Sequence, residues 1–465
     1  MRATLAALLV PLLAGCPDRT IAGVSVDQGT VTDKNIPAVP RRDLDILFLI
    51  DDSLSMKEEQ ASLKANFGRF INVLESIEGG LPSVHIGVAT PNMGTSAIDG
   101  TKAPSIGTCV GSGENGKLRR MPNGGPAFLS DLVAGTGRQR NYTGTLTDAF
   151  AQIADVGTNG CGVEQHFEAI KHALDGSNPE NTGFLRRDAY LAVILVADED
   201  DCSLAKSTLF IGNPNDATYG DVVNFRCARE GMECDTPDTD LDIVGPRRDC
   251  HPKYDSEVIA PVDRYSDFLK SLKATESDVF VAGIVGDPGP VEVIKKGSVS
   301  VLKQSCEYTG PTGDKQFAYP GIRMFEFLEQ FPTHNASASI CREDLSSGLT
   351  QIAAALGAEL GATCFTEQLA DMDPETDGAQ YSCTVTDTRR VPGQPDEELA
   401  VLPTCDATKS RIPCWHIQED ADQCKHTRTN PHLKLVIERG GVIPTTDRRV
   451  RVQCVTVPSS GGPVL

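Results

Sequence analysis

Asp51, Ser53 and Ser55 stand two residues apart, directly after the apolar run Ile46-Leu47-Phe48-Leu49-Ile50. A carboxylate and two hydroxyls make a set of oxygen donors suited to a hard divalent cation such as Mg²⁺, which usually keeps some of its water. In an extended segment, positions i, i+2 and i+4 point the same way, so one short loop aims all three side chains at one ion. Hydroxyls carry no charge. With one or two carboxylates they leave the ion partly positive, and a partner's carboxylate is attracted to it. An aspartyl-phosphate mechanism would use a second carboxylate two residues after the first, and Ser53 stands there instead.

The elements around these residues have to position them. The apolar run suits a strand buried on both faces of a parallel sheet, and the carboxyl end of such a strand is where open α/β sheets place their ligand crevice. A helical pattern follows over about residues 56–77, with Leu63, Phe67, Phe70, Ile71 and Leu74 at helical spacing and Gly79-Gly80 as its stop. Strand patterns at 84–90, 191–197 and 279–285 alternate with helical patterns at 164–174, after an N-capping Asp263, and at 343–360. That alternation predicts a parallel sheet. Two stretches interrupt it, a Gly-, Ser- and Asn-rich insertion at about 94–145 and another at about 203–255 that holds four cysteines. Residues 361–465 read as a separate β-rich domain. Leu433, Leu435 and Ile437 alternate with Lys434, Val436 and Glu438, Val450 and Val452 alternate with Arg449, Arg451 and Gln453, and Gly440-Gly441 between them suggests a hairpin or meander.

The D-x-S-x-S spelling between strand and helix resembles the metal-ion-dependent adhesion site of von Willebrand factor A (VWA) domains. The resemblance covers about residues 43–360 and implies a doubly wound, mostly parallel sheet with a metal site on its rim. It also implies a Thr and an Asp from two further loops. Thr158, in Gly157-Thr158-Asn159-Gly160, and Asp198, at the end of the 191–197 run, stand at those places. Glu199, Asp200 and Asp201 crowd Asp198 and offer substitutes for it. The implied metal set is Asp51, Ser53, Ser55, Thr158 and Asp198. Mg²⁺ is the expected ion, with Mn²⁺ or Ca²⁺ also admissible, and an acidic side chain of a protein ligand is the expected partner.

The N-terminus carries a second signal. Arg2 precedes an apolar stretch over 5–13 that is too short to span a bilayer and reads as a signal peptide. It ends in Leu13-Ala14-Gly15-Cys16, which resembles a bacterial lipobox, so residues 1–15 are expected to be removed and Cys16 to carry lipid. Residues 16–42 then read as a tether. Of the 15 cysteines, one assigned to lipid leaves an even number, and disulfides suit an exported chain. Eight of these fall before residue 360 and six after it, which fits two separately stapled domains. Cys161 follows the Thr158 loop and Cys202 follows the Asp198 loop, so a bridge between Cys161 and Cys202 is expected to hold the rim of the site.

A net charge of −21 opposes binding to phosphate backbones and anionic membrane surfaces, which argues against a nucleic-acid partner. Other motifs carry less. Gly111-x-Gly113-x-x-Gly116 lacks the strand that a dinucleotide site needs. Ser203-x-x-Lys206 lacks the companion elements of penicillin-binding enzymes. Cys414, His416, Cys424 and His426 could bind zinc, but disulfides suit the cysteine parity better. The reading is a lipid-anchored bacterial cell-envelope protein, not an enzyme, that binds an acidic partner through a divalent ion in adhesion or envelope assembly. Two alternatives stand beside it: a metal-independent scaffold, and a hydrolase using the 198–201 carboxylates.

Overall fold

The computed structural model describes residues 30–457, apart from short internal stretches of which 211–222 and 235–242 are the longest. The signal peptide, the lipidation residue Cys16 and the first part of the expected tether lie outside the described residues. So does His426. Among the described residues, no helix is long and apolar enough to cross a membrane.

The largest sheet has seven strands in the order Asn335–Ser339, Val279–Val285, Tyr190–Ala197, Asp43–Ile50, Ser83–Ala89, Leu129–Ala134 and Gly137–Arg140. The first five pair in parallel, and the last two join antiparallel from within the first insertion. Alternate residues of the Asp43–Ile50 strand serve two cores. Leu44, Ile46, Phe48 and Ile50 pack with residues of helices Lys57–Glu75, Leu146–Ile153 and Ser346–Leu360. Leu47 and Leu49 pack with residues of helices His166–Leu174, Asp263–Ser271 and Ile322–Glu329. The Phe48 ring meets Phe67, Phe70 and Phe150 edge-on at centroid distances of 5.9, 5.8 and 5.0 Å. Each such ring contributes about 1.5–3 kcal/mol by leaving water, so the strand that leads into Asp51 is firmly anchored.

The expected architecture, a doubly wound and mostly parallel sheet, is corrected by the structure as a whole. The chain is mixed α/β, and its strands form six sheets among the described residues. Four of the fourteen strand pairings are parallel and ten are antiparallel. Four of the antiparallel pairs, Leu129–Ala134 with Gly137–Arg140, Val291–Lys296 with Val299–Leu302, Cys306–Thr309 with Lys315–Ala318 and Cys383–Arg389 with Glu397–Val401, are joined by short connections, which permit only antiparallel neighbours. The others bring together strands more distant in sequence.

Two further expectations change near the ends. Thr30–Pro37, placed in the tether, is a strand paired along its length with Arg448–Thr456. The C-terminal four-stranded sheet thus needs a piece of the chain from before the larger domain. The runs on either side of Gly440-Gly441 do not pair with each other. Leu433–Glu438 pairs with Cys414–Glu419, while Arg448–Thr456 lies between Thr30–Pro37 and Cys383–Arg389. Ile36, Phe365, Val385, Trp415, Leu435 and Val452 form their common core.

Candidate metal site

Asp51 follows the buried strand directly, and its backbone N–H donates to the Val196 carbonyl of the neighbouring strand (3.0 Å). Its side chain is fully buried. Oδ1 accepts the Ser53 N–H (2.6 Å), closing an Asx-type turn. Oδ2 has no hydrogen-bond partner. The Ser53 and Ser55 hydroxyls lie 3.0 Å apart, brought together by the short 3₁₀ helix Leu54–Met56 and not by the extended segment that the spacing suggests.

Gln60, on the following helix, ties this loop to the one that holds Thr158. Its Nε2 donates to the Asp51 carbonyl (2.9 Å) and to the Gly157 carbonyl (2.8 Å). Gly160 N–H donates to the Asp52 carbonyl (2.8 Å). A Cβ at Gly160 would collide with the Asp52 carboxylate, so glycine is what lets the two loops meet. Thr158 is half-buried in this loop beside the Asp51–Asp52 backbone. Its loop is therefore at the site, and the bonds that place it there are backbone bonds.

Asp198 ends the Tyr190–Ala197 strand and is buried. Burial raises its carboxyl well above the usual range, and the charges of Asp51 and Glu199 add to this, while a hydrogen bond from Ser55 opposes it. Its Oδ1 has no partner. The crowded acidic run divides by role. Asp200 accepts the Arg323 and Met324 N–H groups (2.9 and 3.0 Å) at the start of helix Ile322–Glu329. Burial brings it to about 6 against those bonds. Asp201 accepts the Phe167 N–H (2.9 Å) at the start of helix His166–Leu174 and pairs with the buried Arg323 guanidinium (2.9 Å). Asp200 and Asp201 anchor helices, and Asp198 faces Asp51.

Sequence reasoning missed two residues. Glu164 and His166 follow the Thr158 loop, His166 as the first residue of helix His166–Leu174, and both are buried. One ligand atom from each of Asp51, Glu164 and His166 lies within 4.8 Å of the others. Burial raises the Glu164 carboxyl well above its usual range, reinforced by Asp51, Glu199 and Asp198. Burial also lowers His166, against the opposing charges of Asp51 and Asp201. Neither Glu164 oxygen and neither His166 ring nitrogen has a hydrogen-bond partner of normal geometry. Their only signal in the sequence is a polar triplet, Glu164-Gln165-His166, just ahead of an apolar helical face.

Three buried carboxylates thus converge, and among the described residues no Lys or Arg pairs with any of them. Isolated buried charges are very costly unless they are paired, bound to metal or neutralised by a proton. The donor set, carboxylates beside two hydroxyls, fits a divalent cation. Asp52, next along the chain, is lifted to about 7 by burial, then by Asp51 and Glu114, so the excess of negative charge extends beyond the cluster.

Both insertions are stapled to this rim. The expected bridge between Cys161 and Cys202 is corrected: Cys161 pairs with Cys109 of the first insertion, and Cys202 with Cys227 of the second. Each cysteine beside a site loop reaches outward to the insertion packed over it rather than across the site. Cys234–Cys250 and Cys306–Cys341 complete the larger domain. Cys364–Cys424, Cys383–Cys454 and Cys405–Cys414 staple the C-terminal one. The cysteines weighed for zinc, Cys414 and Cys424, are therefore both consumed. The second insertion also helps wall a cavity of about 640 Å³ beside the site, lined by Glu164, Glu199 and Tyr319 on one side and by Phe225, Met232 and Val301 on the other.

No family model matches the chain, and no curated protein does. Among solved structures, proximal thread matrix protein 1 from the mussel byssus aligns at 13% identity and a TM-score of 0.29, over 71% of this chain and 51% of that one. The pilus adhesin RrgA from Streptococcus pneumoniae aligns at 12% identity and a TM-score of 0.22, over 92% and 58%. The human COPII-coat protein Sec24c aligns at 8% identity and a TM-score of 0.29, over 91% and 46%. The chain spans about half the length of these proteins.

Proposed function

We propose that this chain is a cell-envelope lipoprotein that binds an acidic protein partner through a divalent metal ion, at an adhesion-type site of the VWA kind. The observation that carries the reading is the convergence of buried Asp51, Asp198 and Glu164, with carboxylate oxygens that no Lys or Arg among the described residues satisfies. An ion held there by Asp51, Asp198, the Ser53 and Ser55 hydroxyls and the Thr158 loop would retain a position for a partner's carboxylate. The adjoining cavity would take the residues that flank it. Of the 198–201 carboxylates that a hydrolase would draw on, Asp200 and Asp201 are committed to helix starts and to Arg323. Seven disulfides suit an oxidising compartment, and lipid on Cys16 would supply the membrane anchor.

Calorimetric titration of Mg²⁺ and Mn²⁺ into the full oxidised chain tests the site. Saturable binding of one ion, lost in Asp51→Ala, is expected. A folded chain that binds neither ion, or an Asp51→Ala variant that binds as well as the parent, overturns the reading in favour of a metal-independent scaffold. Incorporation of labelled fatty acid, lost in Cys16→Ser, tests the anchor separately.

A further inference from the structure

We infer that the site selects a first-row transition dication rather than Mg²⁺ or Ca²⁺, because His166 contributes a nitrogen ligand and Glu164 a carboxylate beside Asp51. This deepens the metal-site reading above and rests on it.

His166 is fully buried, its Nε2 lies 3.7 Å from Glu164 Oε2, and neither ring nitrogen has a normal hydrogen-bond partner. A buried polar side chain without a partner calls for an explanation, and an ion is one of the few available. The residue is also preset. It opens helix His166–Leu174, whose next two N–H groups are held by Asp201 Oδ1 (2.9 Å) and Ser203 Oγ (3.0 Å). Arg323 in turn fixes Asp201. Glu164 is held at its backbone, where its carbonyl accepts the Cys202 N–H (2.8 Å). Neither side chain would have to move far to meet an ion beside Asp51, since their ligand atoms already lie within 4.8 Å of one another.

The chemistry of the donors sets the choice of ion. Mg²⁺ and Ca²⁺ take oxygen ligands, whereas imidazole suits borderline ions, and affinity rises from Mn²⁺ through Co²⁺ and Ni²⁺. A set of Asp, Glu and His with two serine hydroxyls therefore favours the transition ions. The serines and Asp198 alone would not.

Pulsed electron paramagnetic resonance of the Mn²⁺-loaded full chain reads the nitrogen directly. The expected result is ¹⁴N modulation in the parent chain that vanishes in His166→Gln. That variant should bind Mn²⁺ and Zn²⁺ about tenfold or more weakly than the parent, since loss of even an outer-shell partner of a metal ligand costs that much. Mn²⁺ bound at one Asp51-dependent site without ¹⁴N modulation overturns the inference and leaves the metal-site reading standing. Modulation that persists in His166→Gln also overturns it. No Mn²⁺ binding at all overturns both. The parent spectrum decides the question even if His166→Gln does not fold.

Discussion

One strand carries two buried aspartates, and their surroundings are opposite. Asp45, near the start of Asp43–Ile50, is fully buried and is met by protein cations. Arg186 Nε lies at 2.7 Å and its N–H at 2.6 Å, with Lys273 Nζ at 3.9 Å and His85 Nδ1 at 3.6 Å. Burial raises its carboxyl, and Arg186 and Lys273 oppose that. Asp51, just past the strand's other end, is equally buried and is met by two more carboxylates. The amino end of the sheet is neutralised from within. The carboxyl end is organised by backbone bonds and left short of positive charge. Gathering Asp51, Asp198 and Glu164 is costly while all three are charged, and a proton, which the raised carboxyls of Asp198 and Glu164 favour, or the cation proposed above would lower that cost.

Paired substitutions sharpen the contrast most strongly. Asp45→Asn leaves the buried Lys273 without its carboxylate and Arg186 with Asp43 alone, and removing one partner of a buried pair costs about 3–5 kcal/mol. Asp51→Asn keeps the bond to the Ser53 N–H and removes a repelling charge, so in chelator it should cost nothing or stabilise. Denaturant unfolding of both variants in EDTA checks this, and equal losses would erase the distinction between the two ends.

The staples come next in size. Replacing Cys109 and Cys161 together by serine frees the first insertion from the Thr158 loop, and losing a disulfide of this kind costs about 2–4 kcal/mol. Metal affinity should fall with it. The same exchange at Cys405 and Cys414 should leave metal affinity unchanged, because those residues lie in the other domain. Titration of the two variants side by side measures the difference.

Ion binding itself should stabilise the parent chain by about 2.7 kcal/mol at a hundredfold excess over Kd. Asp51→Asn should gain nothing. Thermal unfolding with and without Mn²⁺ gives both numbers.

The smallest effect lies where the two domains meet. Glu359 is buried with Arg449 Nη2 and His334 Nδ1 each 3.1 Å away. Burial alone would raise its carboxyl, but His334 and Arg449 hold it below the ordinary value. A depressed carboxyl contributes stability above the unfolded pKa and loses it as pH falls through the folded one. The contribution should therefore be intact at neutral pH and disappear on acidification below about 4.3. Glu359→Gln should remove about 1–3 kcal/mol at neutral pH and flatten that acid limb, as unfolding measured across pH would report.

Much of this was legible in the residues, and the misses share a cause. The strand patterns around Asp51 and Asp198 are strong because both strands are buried on two faces, so every position must be apolar. The helix over Lys57–Glu75 shows its spacing because it buries one face only. Asp198 could not be separated from its acidic neighbours by sequence, since what distinguishes Asp200 and Asp201 is their bonds to helix starts more than thirty residues earlier and more than a hundred residues later. Glu164 and His166 escaped for the same reason. Their partner, Asp51, is remote in sequence, and nothing local distinguishes them from polar residues at a helix start. The pairing of Cys161 and Cys202 with the insertions, and of Thr30–Pro37 with Arg448–Thr456, likewise depends on contacts that no periodicity encodes.

Anomalous diffraction from crystals grown with Mn²⁺ tests the central claim most directly. A strong peak enclosed by the carboxylates of Asp51, Asp198 and Glu164, with the Ser53 and Ser55 hydroxyls beside it, is expected. Carboxylates hydrogen-bonded to one another with no peak between them, in a folded and oxidised protein, would contradict it.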